Sequence, residues 1–422
     1  MIALVAACAT IQQPALFRFI ETPSESYSFV EQPVREFEHR NIRVFELCSQ
    51  KWKNKTWKHA VEISEPATLE QKSTAILWIT GDRGTTEPDA KLAQRVADIS
   101  GMPVAVLYDV PNQPLFEKLR EDTLIAYSFG KFLETKDETW PLLLPMVNSA
   151  VKAMDGISSA TSKSKNPIRR FVVAGESKRG WTTLLTAAYD KRVIAEVPMG
   201  FDFVNFAEQL KRQKQTWGRF SPMFEAYEGL DPDAVLKTDL GKVLVDMVDP
   251  HAYMSRLYRP KLFIRGSCDP FWTIDALNTY WNELPGGKLV SVVPNVGHVV
   301  SESVSVQTNL ALFAKWSAKE QAPPMLRGDW REGGGTWTHS TIAPAAHRVK
   351  LWMAESEKND FSKPDWKVVA TGPSPMKLPK SQFSVAAFVE ATYRVDGHEF
   401  TLTSVPRIFP PSRSVPTQFH SR

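Results

Sequence analysis

Ser177, Asp269 and His298 are the residues of this 422-residue chain whose types, order and settings suit nucleophilic catalysis. Ser177 sits in Gly175-Glu176-Ser177-Lys178-Arg179-Gly180-Trp181, directly after the apolar run Phe171-Val172-Val173-Ala174 and before Thr182 to Ala188, which has helical composition. A serine hydroxyl attacks a carbonyl when the backbone lifts it out of a sheet on a tight strand-to-helix turn, and that turn needs small residues around it. Gly175 stands two before Ser177, as such a turn asks. Two after it stands Arg179, and the second glycine comes one residue later, at Gly180. Taken alone, the segment reads equally well as an ordinary turn with an incidental serine.

An activated serine also needs a base in hydrogen-bond reach and a carboxylate to hold that base in the right tautomer. His298 follows the apolar run Lys288 to Val293, and Asp269 follows the run Lys261 to Arg265. The chain order Ser, Asp, His is that of an α/β-hydrolase. Asp202, just past the run Val193 to Met199, is the alternative acid and is otherwise expected to face a substrate. The backbone N–H of Lys178, with one from Gly81 or Asp82 after the run Ala75 to Thr80, would form the oxyanion hole. Glu176, beside the nucleophile, is a candidate substrate contact that would repel an anionic substrate or attract a substrate amine, and Trp272 is the pocket candidate among the tryptophans. Trp140 and Trp181 read as core, and Arg179 as one half of a structural ion pair beneath the turn.

The elements needed to position these residues are legible in outline. Strand-like stretches between Tyr27 and Ile63 predict an opening antiparallel meander. Buried apolar runs then alternate with amphipathic stretches up to about Ala318, which predicts an α/β fold with a mainly parallel sheet covered on both faces. Residues 203–257 are aromatic-rich without strand patterning, and they predict a helical lid insertion. Past Ala322-Pro323-Pro324, short alternating runs such as Arg348 to Trp352 and Ser384 to Val389 predict a C-terminal all-β sandwich. The expected domains are an N-terminal segment (1–26), an α/β-hydrolase domain (27–321), a β-sandwich domain (325–410) and a disordered tail (411–422).

Lys+Arg 51 against Asp+Glu 47 leaves a net charge of +4, with no long basic run to track a phosphate backbone, so no nucleic-acid partner is expected. Cys8, Cys48 and Cys268 have no metal-site spacing, and no metal or organic cofactor is implied. No stretch approaches the roughly 20 apolar residues of a membrane span. Met1-Ile2-Ala3-Leu4-Val5-Ala6-Ala7-Cys8 resembles the end of a lipoprotein signal without its basic start. The expectation drawn from it is a lipidated Cys8 and a periplasmic, outer-membrane or secreted location.

Further motifs carry a family resemblance. Glu121-Asp122-Thr123-Leu124-Ile125-Ala126-Tyr127, Trp140-Pro141, Gly175 to Thr183, Val248-Asp249-Pro250, Trp281 to Gly286 and Val293 to His298 together resemble the PhoPQ-activated pathogenicity-related protein family. The similarity runs from about Tyr27 to Pro410. It implies an α/β-hydrolase domain with a C-terminal β domain, commonly in secreted or envelope proteins, and a fold similar to the catalytic domain of dipeptidyl peptidases. Relatives in amoebae include an autocrine proliferation repressor. The family's serine, aspartate and histidine fall on Ser177, Asp269 and His298. Two positions depart from its pattern: Glu176 replaces a small residue, and Asp82 replaces the second of two glycines. The activity implied is that of a serine hydrolase acting on an ester or a peptide. The rival expectation is a secreted signalling or binding protein whose C-terminal domain contacts a protein partner.

Overall fold

The computed structural model describes residues 13–84, 87–363 and 365–412. Cys8 and most of the expected tail lie outside the described residues. One nine-stranded sheet organises the molecule. Its strands are β1 (Ser28–Phe37), β2 (Arg40–Trp52), β3 (Lys55–Ser64), β4 (Thr74–Ile79), β5 (Val104–Leu107), β6 (Arg170–Glu176), β7 (Val193–Met199), β8 (Lys261–Gly266) and β9 (Lys288–Val293). They lie in the order β1-β2-β3-β5-β4-β6-β7-β8-β9. The first three are antiparallel, and β3 meets β5 antiparallel; from β5 to β9 every neighbouring pair is parallel.

The apolar runs become central strands because both of their faces are covered. On β4 and β6, Leu77, Ile79, Phe171 and Val173 point into one core, while Ile76, Trp78, Val172 and Ala174 point into another. This is the two-residue period of a strand read out as two separate cores. Helices α1 (Ala15–Glu21), α2 (Glu87–Ser100), α3 (Glu121–Thr135), α4 (Leu143–Ala160) and α5 (Lys178–Tyr189) precede the lid. Within α1, Leu16, Phe17 and Ile20 are buried, and Phe17 stacks on Tyr253 with ring centroids 5.7 Å apart. The body therefore takes in residues of the segment expected to lie ahead of it, because α1 contributes three apolar side chains to the main core.

Between β7 and β8 the expected insertion is helical: α6 (Phe206–Trp217), α7 (Glu225–Glu228), α8 (Pro232–Val235) and α9 (Asp239–Val248), followed by a 3-10 turn over Pro250–Arg256. Asp249 joins the two ends of the insertion by accepting hydrogen bonds from the N–H groups of Asn205 (3.0 Å), Phe206 (2.7 Å) and His251 (2.9 Å). The last helix, α10 (Val304–Ala318), packs against α2 on the second core.

The C-terminal strands are β10 (Arg327–Gly333), β11 (Thr336–Ile342), β12 (Arg348–Ser356), β13 (Lys367–Thr371), β14 (Met376–Lys377), β15 (Ser384–Val395), β16 (His398–Thr403) and β17 (Arg407–Phe409). They form a three-stranded sheet, β10-β11-β14, and a five-stranded one, β13-β12-β15-β16 with β17 on β15. Leu351, Met353, Val385, Ala387 and Val389 fill the space between these sheets. The other face of β15 presents Ala386 and Phe388 to the core of the α/β body. The near-continuous apolar run of β15 has this cause: its strand is buried on both sides. Asn309 of α10 ties the two parts further, donating to the Thr401 carbonyl (2.9 Å) and accepting from the Thr401 N–H (3.0 Å).

One buried histidine gives this fold an acid sensitivity. His59 of β3 donates through Nδ1 to the Tyr108 carbonyl (3.1 Å), while Nε2 lies 3.0 Å from the Ser49 hydroxyl. Burial pushes it down from the usual 6.5 to about 4. Between those values the unfolded chain binds a proton that the native state refuses, so stability falls as pH is lowered through the window. The loss from this residue is on the order of 3 kcal/mol if fully expressed. Urea midpoints measured from about pH 7 down to about pH 4.5 should decline, with a shallower decline in His59→Gln.

Candidate active site

The parallel strands deliver the chemistry-bearing residues to one edge of the sheet. Ser177 follows β6, Gly81 and Asp82 follow β4, Asp269 follows β8 and His298 follows β9. All of them lie beyond the carboxyl ends of parallel strands, the position where open α/β sheets place their sites. The structure brings three of them into a line. His298 Nε2 is 2.8 Å from Ser177 Oγ, and Nδ1 is 2.8 Å from Asp269 Oδ2. The Asp269 side chain is fully buried, and its other oxygen accepts from the Phe271 N–H at 2.8 Å. The Phe271 ring lies against the imidazole, with centroids 4.2 Å apart.

Ser177 adopts φ 59°, ψ −126°, a conformation disfavoured for a residue with a side chain, of the kind found at a nucleophile elbow. Close packing holds it there. A Cβ on Gly175 would meet the Arg179 carbonyl oxygen at 2.7 Å, and one on Gly180 would meet the Met199 carbonyl oxygen at 2.9 Å. Gly180 thus does the spacing work of the displaced second glycine, because β7 passes directly beneath it.

Arg179 lies under the turn. It donates to both oxygens of Glu121 (2.8 and 2.7 Å) and to the Val110 carbonyl (2.6 Å). Lys178 Nζ adds contacts to Glu121 (2.7 Å) and Asp122 (3.3 Å). Burial alone would raise the Glu121 carboxyl, yet the hydrogen bonds and charge of Arg179, helped by Lys178, hold it well below the usual carboxylate range. Glu121 was visible in the sequence only as part of a motif. Its role as the shared counter-ion of two residues on the elbow helix needs the third dimension. The loop of Gly81 and Asp82 sits over the same guanidinium: a Cβ on Gly81 would come within 2.7 Å of Arg179 Nη2. The Asp82 carboxylate turns away to Gln113 (2.9 Å) and Arg120.

Two of the expected substrate contacts are engaged elsewhere. Glu176 accepts from the N–H groups of Val300 (2.5 Å) and Ser301 (3.0 Å) and from the Ser301 hydroxyl (2.8 Å). Its carboxylate therefore ties the strand end before Ser177 to the loop after His298 and does not face a substrate amine. Asp202 is buried against Arg265 and accepts from the Tyr280 hydroxyl at 2.6 Å. It touches neither His298 nor an open surface. Burial raises its carboxyl despite the neighbouring Arg265.

Trp272 lines an apolar chamber that opens beside Ser177; Trp181 is buried in the main core, as expected, and borders the chamber as well. The chamber has a cavity volume of about 110 Å³, and the lid contributes Leu210, Phe224 and Leu244 to its wall.

Residues 16–362 match the family model described as PhoPQ-activated pathogenicity-related protein. The chain belongs to that family. A relative within reach of sequence comparison is autocrine proliferation repressor protein A of Dictyostelium discoideum, 27% identical over 384 residues, covering 85% of this chain and 78% of the relative. Among solved structures, acetyl xylan esterase 1 from Thermoanaerobacterium sp. JW/SL YS485 is similar at a TM-score of 0.50 and 14% identity, covering 72% of this chain and 92% of the esterase. That likeness carries the α/β-hydrolase fold alone. In this member of the family the Glu176 clamp is testable without any assay of turnover. Glu176→Ala should expose the Val300 and Ser301 amides to faster hydrogen exchange and cost about 1–3 kcal/mol of stability, the range for losing hydrogen bonds to a charged acceptor. Unchanged protection at both amides would remove the clamp from the account.

Proposed function

We propose that this chain is a serine hydrolase working through an acyl-enzyme. The observation that carries the reading is the bridging of Ser177 and Asp269 by one imidazole, 2.8 Å on each side. Asp269, buried and acceptor-only, fixes the tautomer with its proton on Nδ1, which leaves Nε2 free to take the Ser177 proton. Ser177 Oγ then bonds to the substrate carbonyl carbon. The N–H of Lys178, at the start of α5, and one from Gly81 or Asp82 are assigned to the oxyanion. His298 returns its proton to the leaving group, and water repeats the sequence to release the acid. With Glu176 and Asp202 both engaged, no free carboxylate is left among the expected contacts to select a substrate amine, which favours esters over aminoacyl peptides.

A second reading has one observation in its favour. The Dictyostelium relative is named for repressing proliferation, and a hydrolase fold hosts many functions, so a binding protein with an idle site is the competing account. A fluorophosphonate probe separates the two. Purified protein should gain one covalent adduct by intact mass, and Ser177→Ala should gain none. His298→Gln should label slower by about two to four orders of magnitude, the usual share of a general base. Well-folded protein that takes no label would move the assignment to the binding account.

A further inference from the structure

The chamber beside Ser177 deepens that reading, on which this inference rests, by fixing a substrate class. Its wall is aromatic and aliphatic: Phe129, Trp181, Phe203 and Phe206 come from the body and the lid base, and Leu236 and Leu244 from the lid. Among the described residues only two charged side chains reach it, Asp122 and Lys178. They neutralise each other. Lys178 Nζ lies 3.3 Å from Asp122 Oδ2, and the Tyr227 hydroxyl donates to Asp122 Oδ1 at 3.1 Å. A charged group entering the chamber would lose its water and find no unpaired partner in the wall, whereas a hydrocarbon chain would gain by its burial.

The side of the scissile bond that enters follows from the neighbours of Ser177. The chamber wall includes Lys178 and Trp181 on the helix after the nucleophile, next to the N–H assigned to the oxyanion, and does not include His298. The leaving oxygen must depart beside His298, which protonates it; Val299, the next residue, is exposed. The acyl half of the substrate therefore points into the chamber and the alcohol half points out.

We infer that the chain hydrolyses esters of apolar acyl groups, of medium chain length or aromatic, rather than acetyl esters or aminoacyl peptides. Ser177 Oγ bonds to the acyl carbon as the carbon–oxygen bond to the alcohol breaks. The alcohol leaves with the proton held by His298, and water then releases the free acid and restores Ser177.

The test is a series of p-nitrophenyl esters from acetate through butyrate, hexanoate and octanoate to decanoate, run beside Ser177→Ala and fluorophosphonate labelling. Ser177-dependent kcat/KM should rise about fourfold per added methylene until the chamber is filled, as the burial of each methylene requires. A flat series, or one falling from acetate, with turnover still dependent on Ser177, overturns the acyl-chamber inference and leaves the hydrolase reading standing. Absence of both labelling and Ser177-dependent turnover takes down the two together. Leu236→Trp should shorten the preferred chain, lowering the ratio of octanoate to butyrate hydrolysis about fifteenfold, the effect of excluding roughly two methylenes. Leu244→Phe, on α9, makes the same comparison if that variant does not fold. An unchanged ratio in a folded variant would also overturn the inference.

Discussion

Each ring nitrogen of His298 lies 2.8 Å from its partner, and one imidazole meets both only if its loop is fixed to within about half an ångström. That loop has little regular structure of its own. It is held from three sides. Glu176 takes the N–H groups of Val300 and Ser301 on one side. On another, the Ser267 hydroxyl accepts from the Asn295 N–H (2.8 Å), and Cys268 donates to the Val296 carbonyl (2.9 Å), so the loops after β8 and β9 are joined where Asp269 and His298 must meet. On the third, the Asn295 side chain forms a two-way pair with the backbone of Trp366, at 3.0 and 2.8 Å. The C-terminal β domain thus reaches the histidine loop directly. Its attachment through β15 and Asn309 has a positional consequence for the site as well as a stabilising one.

The serine side rests on a different device. Ser177 is held in a backbone conformation that costs about 1–3 kcal/mol for a residue of its type, and it persists because its surroundings leave no room to relax. Gly175 and Gly180 let β6, β7 and α5 approach within backbone contact, and the Arg179–Glu121 pair locks the base of the helix. Placing the cation two residues after Ser177, where the Gly-x-Ser-x-Gly pattern has a glycine, turns a spacer position into an anchor. The glycine function then moves along by one residue.

Around this rigid centre the lid supplies an apolar chamber and almost no polar chemistry. Asp249 secures the lid base by accepting three backbone hydrogen bonds while nearly excluded from water, and burial raises its carboxyl to about 6. The site therefore combines a polar line of fixed geometry with an apolar pocket whose walls come largely from an insertion. The fold sets the first, and the insertion sets what reaches it.

The sequence by itself determined the strands, their alternation with helices, and the chain order of Ser177, Asp269 and His298, because buried parallel strands leave long apolar runs and functional loops follow their ends. It also marked Ser384 to Val389 as a strand of the C-terminal β domain, although it read the run as alternating and the burial of both its faces appears only in the structure. It did not determine what the charged residues near Ser177 face. Glu176 reads as a substrate contact until Val300 and Ser301, more than 120 positions away, arrive at its oxygens. Asp202 reads as open until Arg265 and Tyr280 close over it. A polar side chain's role is fixed by the partners that desolvate and pair it. Those partners come from distant parts of the chain, so only the tertiary structure decides between a carboxylate that binds a substrate and one that holds a loop.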